Sequence, residues 1–161
     1  MQGSGGICAG LAEPVEEVEK EAGGSAGLLH DGGAEMKLNK VHHVAIIGKD
    51  YERSRHFYVD LLGFSVVREH YRAERDDYKI DLQCGEMELE LFIIRDAPPR
   101  PSYPEALGLR HLSFRVDSVE ETILALNALG IETEPVRVDE FTGKKRTFFQ
   151  DPDGLPLEIH E

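Results

Sequence analysis

Hydrophobic and polar positions alternate along the chain in a pattern that predicts one structural unit used twice. In the first half, strand-like alternation at 41–47 precedes an amphipathic helical segment at 50–62 that stops at a glycine. In the second half, a strand at 109–116 precedes a helix at 119–129 that also stops at a glycine. Three strands follow each helix, at 64–71, 78–82 and 87–94, then at 132–138, 146–150 and 156–160. The pattern therefore predicts an α+β fold made of two βαβββ modules.

Two histidine-to-glutamate intervals support an internal duplication. His43 lies in the first predicted strand of one module and Glu90 in its last, and His111 and Glu158 occupy the corresponding places in the other module. The interval is 47 residues in both cases, from 43 to 90 and from 111 to 158. Such agreement is hard to attribute to chance, although the two halves share few side chains.

The N-terminal segment differs from the rest of the chain. Residues 1–36 contain nine of the sixteen glycines, and seven acidic residues against one lysine, which is typical of a disordered tail. Met36 directly precedes the ordered pattern and is a candidate for the authentic start. We expect the folded domain at 37–161. Its predicted parts are modules at 39–95 and 109–161, with a proline-rich linker at 96–108.

Composition narrows the possible partners. With 161 residues the chain is long enough for one domain, and its net charge of -13 argues against binding to nucleic acid or to an anionic membrane. No apolar run approaches the roughly 18–20 residues of a membrane-spanning helix. Two cysteines are too few for a disulfide framework. We therefore expect a cytoplasmic protein that meets small molecules or other proteins.

The four residues at the repeated positions form a candidate metal site. Strand alternation places His43, Glu90, His111 and Glu158 opposite apolar neighbours, and sheets packed against helices on one face would point all four into a shared concavity. Burying two carboxylates together is unfavourable unless a cation compensates them. Two imidazoles and two carboxylates suit zinc, nickel or cobalt, with coordination positions left open. A single strand histidine or glutamate is usually an ordinary polar residue, so the shared interval carries the prediction.

These features together resemble the vicinal oxygen chelate superfamily, in particular its short bacterial glyoxalase-I-like (lactoylglutathione lyase-like) branch. The resemblance covers about residues 39–161, and its strongest mark is the DPDG turn at 151–154 before the last strand. The segments that carry it are VHHVAIIGKDYERSRHFYVDLLGF, YRAERDDYKIDL, ELELF, RPSYPEALGLRHLSFRVD and RTFFQDPDGLPLEIHE.

The resemblance implies a fold and an assembly. The fold is a curved, incomplete eight-stranded barrel made of two paired modules. The family pattern makes His43, Glu90, His111 and Glu158 the ligands of one divalent metal ion per site. It also implies a homodimer. In glyoxalases of this type each site draws two ligands from each subunit, whereas in other members all four come from one chain.

The resemblance also implies a reaction. A glyoxalase is a lyase that moves a proton between adjacent carbons of an adduct of a 2-oxoaldehyde, such as methylglyoxal, with a thiol, and the intermediate is an enediolate. Glu158 is our candidate for the catalytic base, with Glu90 on the opposite side. Two positions depart from glutathione-using members, because Ile47 replaces an arginine and Ile94 replaces an asparagine. The metal chemistry is thus better supported than the identity of the thiol.

Other activities within the same family stay open at this point. His43, His111 and Glu158 alone would form a set of two histidines and one carboxylate, which suits iron in an extradiol dioxygenase. Glu90 argues against that, because a fourth protein ligand removes an open position. An epimerase, a thiol transferase and a non-catalytic small-molecule-binding protein are further alternatives.

Overall fold

The computed structural model describes residues 37–102 and 104–161. The predictions for the glycine-rich segment 1–36, and for Met36 as the start, lie outside the described residues. In the part that the structure describes, strands form two four-stranded sheets, and two helical segments pack on them.

The first sheet belongs to the first module. Its elements are β1 His43–Gly48, α1 Tyr51–Arg55, a π-helical segment His56–Leu61, β2 Ser65–Arg72, β3 Asp77–Cys84 and β4 Met87–Ile93. The strands lie in the order β1-β4-β3-β2, with β1 parallel to β4 and the other neighbours antiparallel. The helix α1 is short and continues into the π-helical segment.

The second sheet repeats this arrangement. Its elements are β5 Leu112–Arg115, α2 Val119–Ala128, β6 Arg137–Val138, β7 Lys145–Gln150 and β8 Pro156–His160. The strands lie in the order β5-β8-β7-β6, again with the first strand parallel to the last. The predicted α+β fold of two βαβββ modules is confirmed. Among the described residues the two sheets stay separate, so the barrel is open.

The prediction of one regular helix over 50–62 is only partly correct. Asp50 caps the helix by accepting a hydrogen bond of 2.9 Å from the backbone N–H of Arg53. The second half is π-helical, and the N–H of Leu62 donates to the carbonyl of Phe57 at 2.9 Å. Phe57 and its neighbour Tyr58 are both buried in this wider turn. Two consecutive aromatic side chains thereby enter the core.

The prediction of a strand over 132–138 is wrong for most of its length, since only Arg137–Val138 joins the sheet. Pro135 has no backbone N–H and cannot continue a ladder. Two isolated hydrogen bonds hold this segment beside β7 instead. The N–H of Glu134 donates to the carbonyl of Phe148 at 2.8 Å, and the hydroxyl of Thr147 donates to the carbonyl of Glu134 at 2.6 Å.

One hydrophobic core joins the two modules. The ring of Phe57 lies 6.5 Å from that of Phe149, and Phe64 lies 5.8 Å from Phe114. The buried residues of this core come from both halves of the chain: Ile46, Phe57, Tyr58, Ile80, Leu82, Leu89, Leu91, Ile93, Val119, Leu126, Ile131, Phe149, Leu155, Leu157 and Ile159. The opposite faces of the sheets are left for polar side chains. No helix in the described part is long and apolar enough to cross a bilayer.

The DPDG turn is anchored by its first residue. One carboxylate oxygen of Asp151 accepts hydrogen bonds from the N–H groups of Asp153 and Leu155, at 2.9 and 2.8 Å. Its other oxygen accepts from the hydroxyl of Tyr58 at 2.8 Å. The turn therefore starts β8 and ties it to the helical segment of the first module.

Candidate metal centre

His43 and Glu90 come together on the first sheet. Glu90 lies between the buried residues Leu89 and Leu91 and points to the opposite face, as the alternation predicts. His43 begins β1, the parallel neighbour of β4, and its side chain is 43% exposed. Its Nε2 lies 3.7 Å from Oε2 of Glu90.

His111 and Glu158 form the corresponding pair on the second sheet. His111 lies one residue before β5 rather than inside a strand, which corrects the predicted bounds of 109–116. Its Nε2 is 3.2 Å from Oε2 of Glu158, and its ring meets Phe148 edge-on at 5.3 Å. The side chain of Glu158 is only 6% exposed. This pair is thus the more enclosed of the two.

The four residues do not meet within one chain. Over residues 37–102 and 104–161, no group of three or more histidine, cysteine, aspartate or glutamate side chains is close enough to hold a metal ion. The expected concavity shared by all four is therefore not formed by the described residues of a single chain, and it stays a prediction for an assembly of two chains. The physical reason is that each pair belongs to its own sheet, and the two sheets do not join.

Basic side chains form ion pairs with both glutamates, a role that the residue pattern did not predict. Nζ of Lys79 lies 2.8 Å from Oε1 of Glu90 and 2.8 Å from Oδ1 of Asp81. Burial lowers the pKa of Lys79, but hydrogen bonds to Asp81 and Glu90 more than offset this, so the pKa is raised. Nη1 of Arg146 lies 3.2 Å from Oε1 of Glu158. The only signal in the sequence is strand alternation, which places Lys79 and Asp81 on one face.

The two pairs fit divalent metal ligands in donor type and spacing. Metal bonds of about 2.1 Å separate two neighbouring donors by about 3.0 Å at a right angle and about 3.4 Å at a tetrahedral angle. The observed separations of 3.2 and 3.7 Å are close to these values. Among the described residues, Nδ1 of His111 is also buried without a hydrogen-bond partner. Each pair thus offers two donors whose type and spacing suit a divalent metal ion.

Two further residues of the first module can be placed. His42 is exposed just before β1, and its Nδ1 lies 2.9 Å from Nδ1 of His43, so it is a direct neighbour of that ring. Ile47 is 57% exposed, and alternation along β1 puts it on the same face as His43. It borders a cleft of about 620 Å³ together with Pro98 and Leu109.

Comparison with known proteins decides the family. The model of the glyoxalase, bleomycin resistance protein and dioxygenase superfamily matches residues 40–159. The chain belongs to this superfamily. Members of the superfamily are mostly enzymes and generally bind a divalent metal ion. The predicted resemblance to the vicinal oxygen chelate proteins is thereby confirmed.

Two members of the superfamily share more than half of the aligned residues with this chain, and a third shares its fold. The uncharacterized protein YwkD of Bacillus subtilis is 54% identical over 127 residues, which are 78% of this chain and 99% of the relative. The crystal structure of a glyoxalase family protein from Enterococcus faecalis is 60% identical, with a TM-score of 0.75, over 78% of this chain and all of that one. A lactoylglutathione lyase from Agrobacterium tumefaciens is 23% identical with a TM-score of 0.59, over 76% and 93% of the two chains, and shares the fold.

Proposed function

We propose that this chain is a metal-dependent, glyoxalase-like lyase that acts on the adduct of a 2-oxoaldehyde and a thiol through an enediolate. Its sites form in a homodimer. Each site combines His43 and Glu90 of one protomer with His111 and Glu158 of the other. The metal is nickel, cobalt or zinc.

One observation carries this proposal. The described residues of a single chain present two separate His–Glu pairs at equivalent places in the two modules, and neither pair is a complete site. Two donors are too few for a stable divalent metal site in a protein, whereas four donors are usual. Combining unlike pairs from two protomers gives four donors in each of two sites.

The two glutamates differ in burial, and we use this difference to assign the catalytic base. Glu158 is the more buried carboxylate, between His111 and Arg146, and we assign it to remove a proton from one carbon and return it to the next. Glu90, whose side chain is 15% exposed, is contributed by the other protomer in the proposed site, and we assign it to the opposite side of the substrate. The chemistry supplied by a bound divalent metal is Lewis-acid stabilisation of negative charge on adjacent oxygens.

The residues that would contact the thiol part of the substrate differ from those of glutathione-using relatives. The exposed apolar side chain of Ile47 stands where glutathione-using relatives place an arginine, and Ile94 stands in place of an asparagine. Arg137 and Arg100 line a second cavity of about 130 Å³ that includes His111. Arg137 pairs with Glu134 at 2.6 Å and Arg100 donates to the carbonyls of Leu109 and Arg110, so a substrate carboxylate would share guanidinium groups that these contacts hold in place.

A complementation experiment tests the shared site. One variant carries His43→Ala and Glu90→Ala, and the other carries His111→Ala and Glu158→Ala. Each homodimer should lack activity and metal. A mixed dimer of the two regains one intact site out of two, because all four unaltered ligands meet there. Sites built within one chain would show no recovery.

A substrate panel tests the reaction itself. Protein reconstituted with nickel, cobalt or zinc is offered 2-oxoaldehydes with glutathione, with other thiols and without a thiol. Thiol-dependent isomerisation supports the proposal. Oxygen consumption with iron and a catechol would instead indicate a dioxygenase, and small-molecule binding without turnover would indicate a binding protein.

A further inference from the structure

In each proposed ligand carboxylate, one oxygen faces an imidazole and the other oxygen faces a basic side chain. In the first module, Oε2 of Glu90 faces Nε2 of His43 at 3.7 Å. Its other oxygen, Oε1, lies 2.8 Å from Nζ of Lys79. The lysine therefore contacts the carboxylate oxygen that does not face the imidazole.

The second module repeats this division with a different basic residue. Oε2 of Glu158 faces Nε2 of His111 at 3.2 Å, and Oε1 lies 3.2 Å from Nη1 of Arg146. Lys79 and Arg146 hold equivalent places in the two sheets. Each lies on the strand antiparallel to the strand of its glutamate, two residues before the position opposite that glutamate. Because the same placement occurs in both modules, we relate the two basic residues to the His–Glu pairs and not to the local surface of one sheet.

The charges around each pair leave one negative charge uncompensated. On the first sheet two basic side chains join three carboxylates, and on the second sheet one basic side chain lies between two carboxylates. The groups are Arg68 and Lys79 with Asp81, Glu88 and Glu90, and Arg146 with Asp139 and Glu158. When the two His–Glu pairs are brought together, their two uncompensated negative charges balance the two positive charges of one divalent cation.

We infer that Lys79 and Arg146 are built-in counter-cations of the metal site, which stabilise the metal-free protein and lower its affinity for the metal. The inference rests on the proposed ligand roles of the four residues. Both basic groups contact Oε1, so they need not leave when Oε2 and Nε2 bind a metal. A retained positive charge near the metal repels it, while in the metal-free protein the same charge offsets a partly buried carboxylate.

The test measures two quantities in the full chain. The affinity for Zn²⁺ is measured by competition with a chromophoric chelator, and stability is measured by chemical denaturation of chelator-treated protein. In Lys79→Met the affinity should rise about tenfold or more, since one like charge has been removed from a partly solvated site. The denaturation midpoint of the metal-free protein should fall. Lys79→Arg should have the Zn²⁺ affinity and the denaturation midpoint of the unaltered protein. Arg146→Met should show the same rise in affinity and the same fall in midpoint as Lys79→Met.

Lys145→Met is the matched control. Lys145 is next to Arg146 on β7 but pairs with Glu120 on α2, so its removal should leave the Zn²⁺ affinity unchanged. If Lys79→Met is too unstable to purify, Lys79→Gln and Arg146→Met provide the same measurement.

The outcomes separate the inference from the proposed function. A fall in both affinity and stability would indicate structural support alone and overturn the inference. Unchanged affinity in both Lys79→Met and Arg146→Met would overturn it as well, with the proposed function intact. Failure of the unaltered protein to bind Zn²⁺, Ni²⁺ or Co²⁺ would overturn the proposed function and the inference together.

Discussion

The hydroxyl of Tyr58 donates a 2.8 Å hydrogen bond to Oδ2 of Asp151, which joins the helical segment of one module to the last turn of the other. Tyr58 is 1% exposed and Asp151 is 6% exposed. The burial of Tyr58 and the neighbouring Asp151 carboxylate raise the pKa of the phenol, so Tyr58 stays a donor at physiological pH.

Tyr58→Phe should lower the free energy of unfolding by about 1–3 kcal/mol, because it leaves a buried carboxylate oxygen without its donor. Chemical denaturation of the metal-free protein measures this. Tyr71→Phe is the control, since that hydroxyl donates to Asp76 at the exposed end of a hairpin and its loss should change stability little. Equal losses in the two variants would contradict a special role for the buried pair.

The stability of the metal-free protein should also depend on the ionisation of Asp151. Burial raises the pKa of this carboxyl, and the hydrogen bonds from Leu155 and Tyr58 only partly offset the rise. The native state therefore holds the proton more tightly than the unfolded state. The contribution of Asp151 to stability is full below its ordinary pKa and is lost as pH rises through its raised value.

Asp151→Asn should remove this part of the pH dependence. Over the window just above the ordinary aspartate pKa, its profile of unfolding free energy against pH should lack the fall that Asp151 contributes, so its slope should be more positive than that of the unaltered protein. Asp153→Asn is the comparison, because the Asp153 carboxylate accepts the N–H of Lys49 and is only a minor cause of the raised pKa of Asp151, so most of the fall should remain. Identical slopes in Asp151→Asn and in the unaltered protein would contradict the assignment.

Loss of either histidine should weaken metal binding. We expect His111→Ala and His43→Ala each to lose most of the bound divalent metal, measured by elemental analysis after dialysis, because two imidazoles are half of the proposed donor set. His56→Ala is the control, since His56 pairs with Asp60 on the exposed side of the helical segment. Unchanged metal content in both ligand variants would show that the assignment is wrong.

Substitution of the glutamates should distinguish the base from a ligand. Glu158→Gln keeps one acceptor oxygen but cannot take a proton at neutral pH. If Glu158 is the base, turnover should fall by roughly 10²–10⁴, with a smaller loss of metal. Glu90→Gln is the matched variant in the other module. Abolished turnover in Glu90→Gln with most activity kept in Glu158→Gln would reverse the roles.

The N-terminal segment should be dispensable. A protein that begins at Met36 should match the full chain in thermal stability, oligomeric state and metal content, because the composition of residues 1–36 cannot support a core. Thermal denaturation and size-exclusion chromatography compare the two forms. A large loss of stability on truncation would contradict this expectation.

Strand alternation and repeat spacing made much of the fold predictable. The period of two put Glu90 opposite Leu89 and Leu91, and the 47-residue interval paired His43 with Glu90 and His111 with Glu158. Local chemistry also marked the end of α2, where Gly130 adopts a φ of 78° that favours glycine. These features depend on neighbours close in sequence or on a repeat.

The rest depends on register between strands, which local sequence does not encode. The role of Lys79 follows from the pairing of Asp81 with Glu90, since that register brings the lysine beside the glutamate. The break at Pro135 was visible in the sequence, but the length of strand that it removes depends on how β7 lies beside it. Whether four ligands meet in one chain depends on the placement of whole sheets.

The parallel pairing of the first and last strands in each module has a kinetic consequence. Val44 pairs with Leu89, and Phe114 pairs with Ile159. In both modules the parallel strand pair therefore joins residues that are 45 positions apart in the sequence. Long loops close slowly, and a nascent chain completes a module only after its final strand has been synthesised. Each histidine meets its glutamate at that same step. A newly made chain therefore has no paired donors to capture metal until the loop of each module has closed.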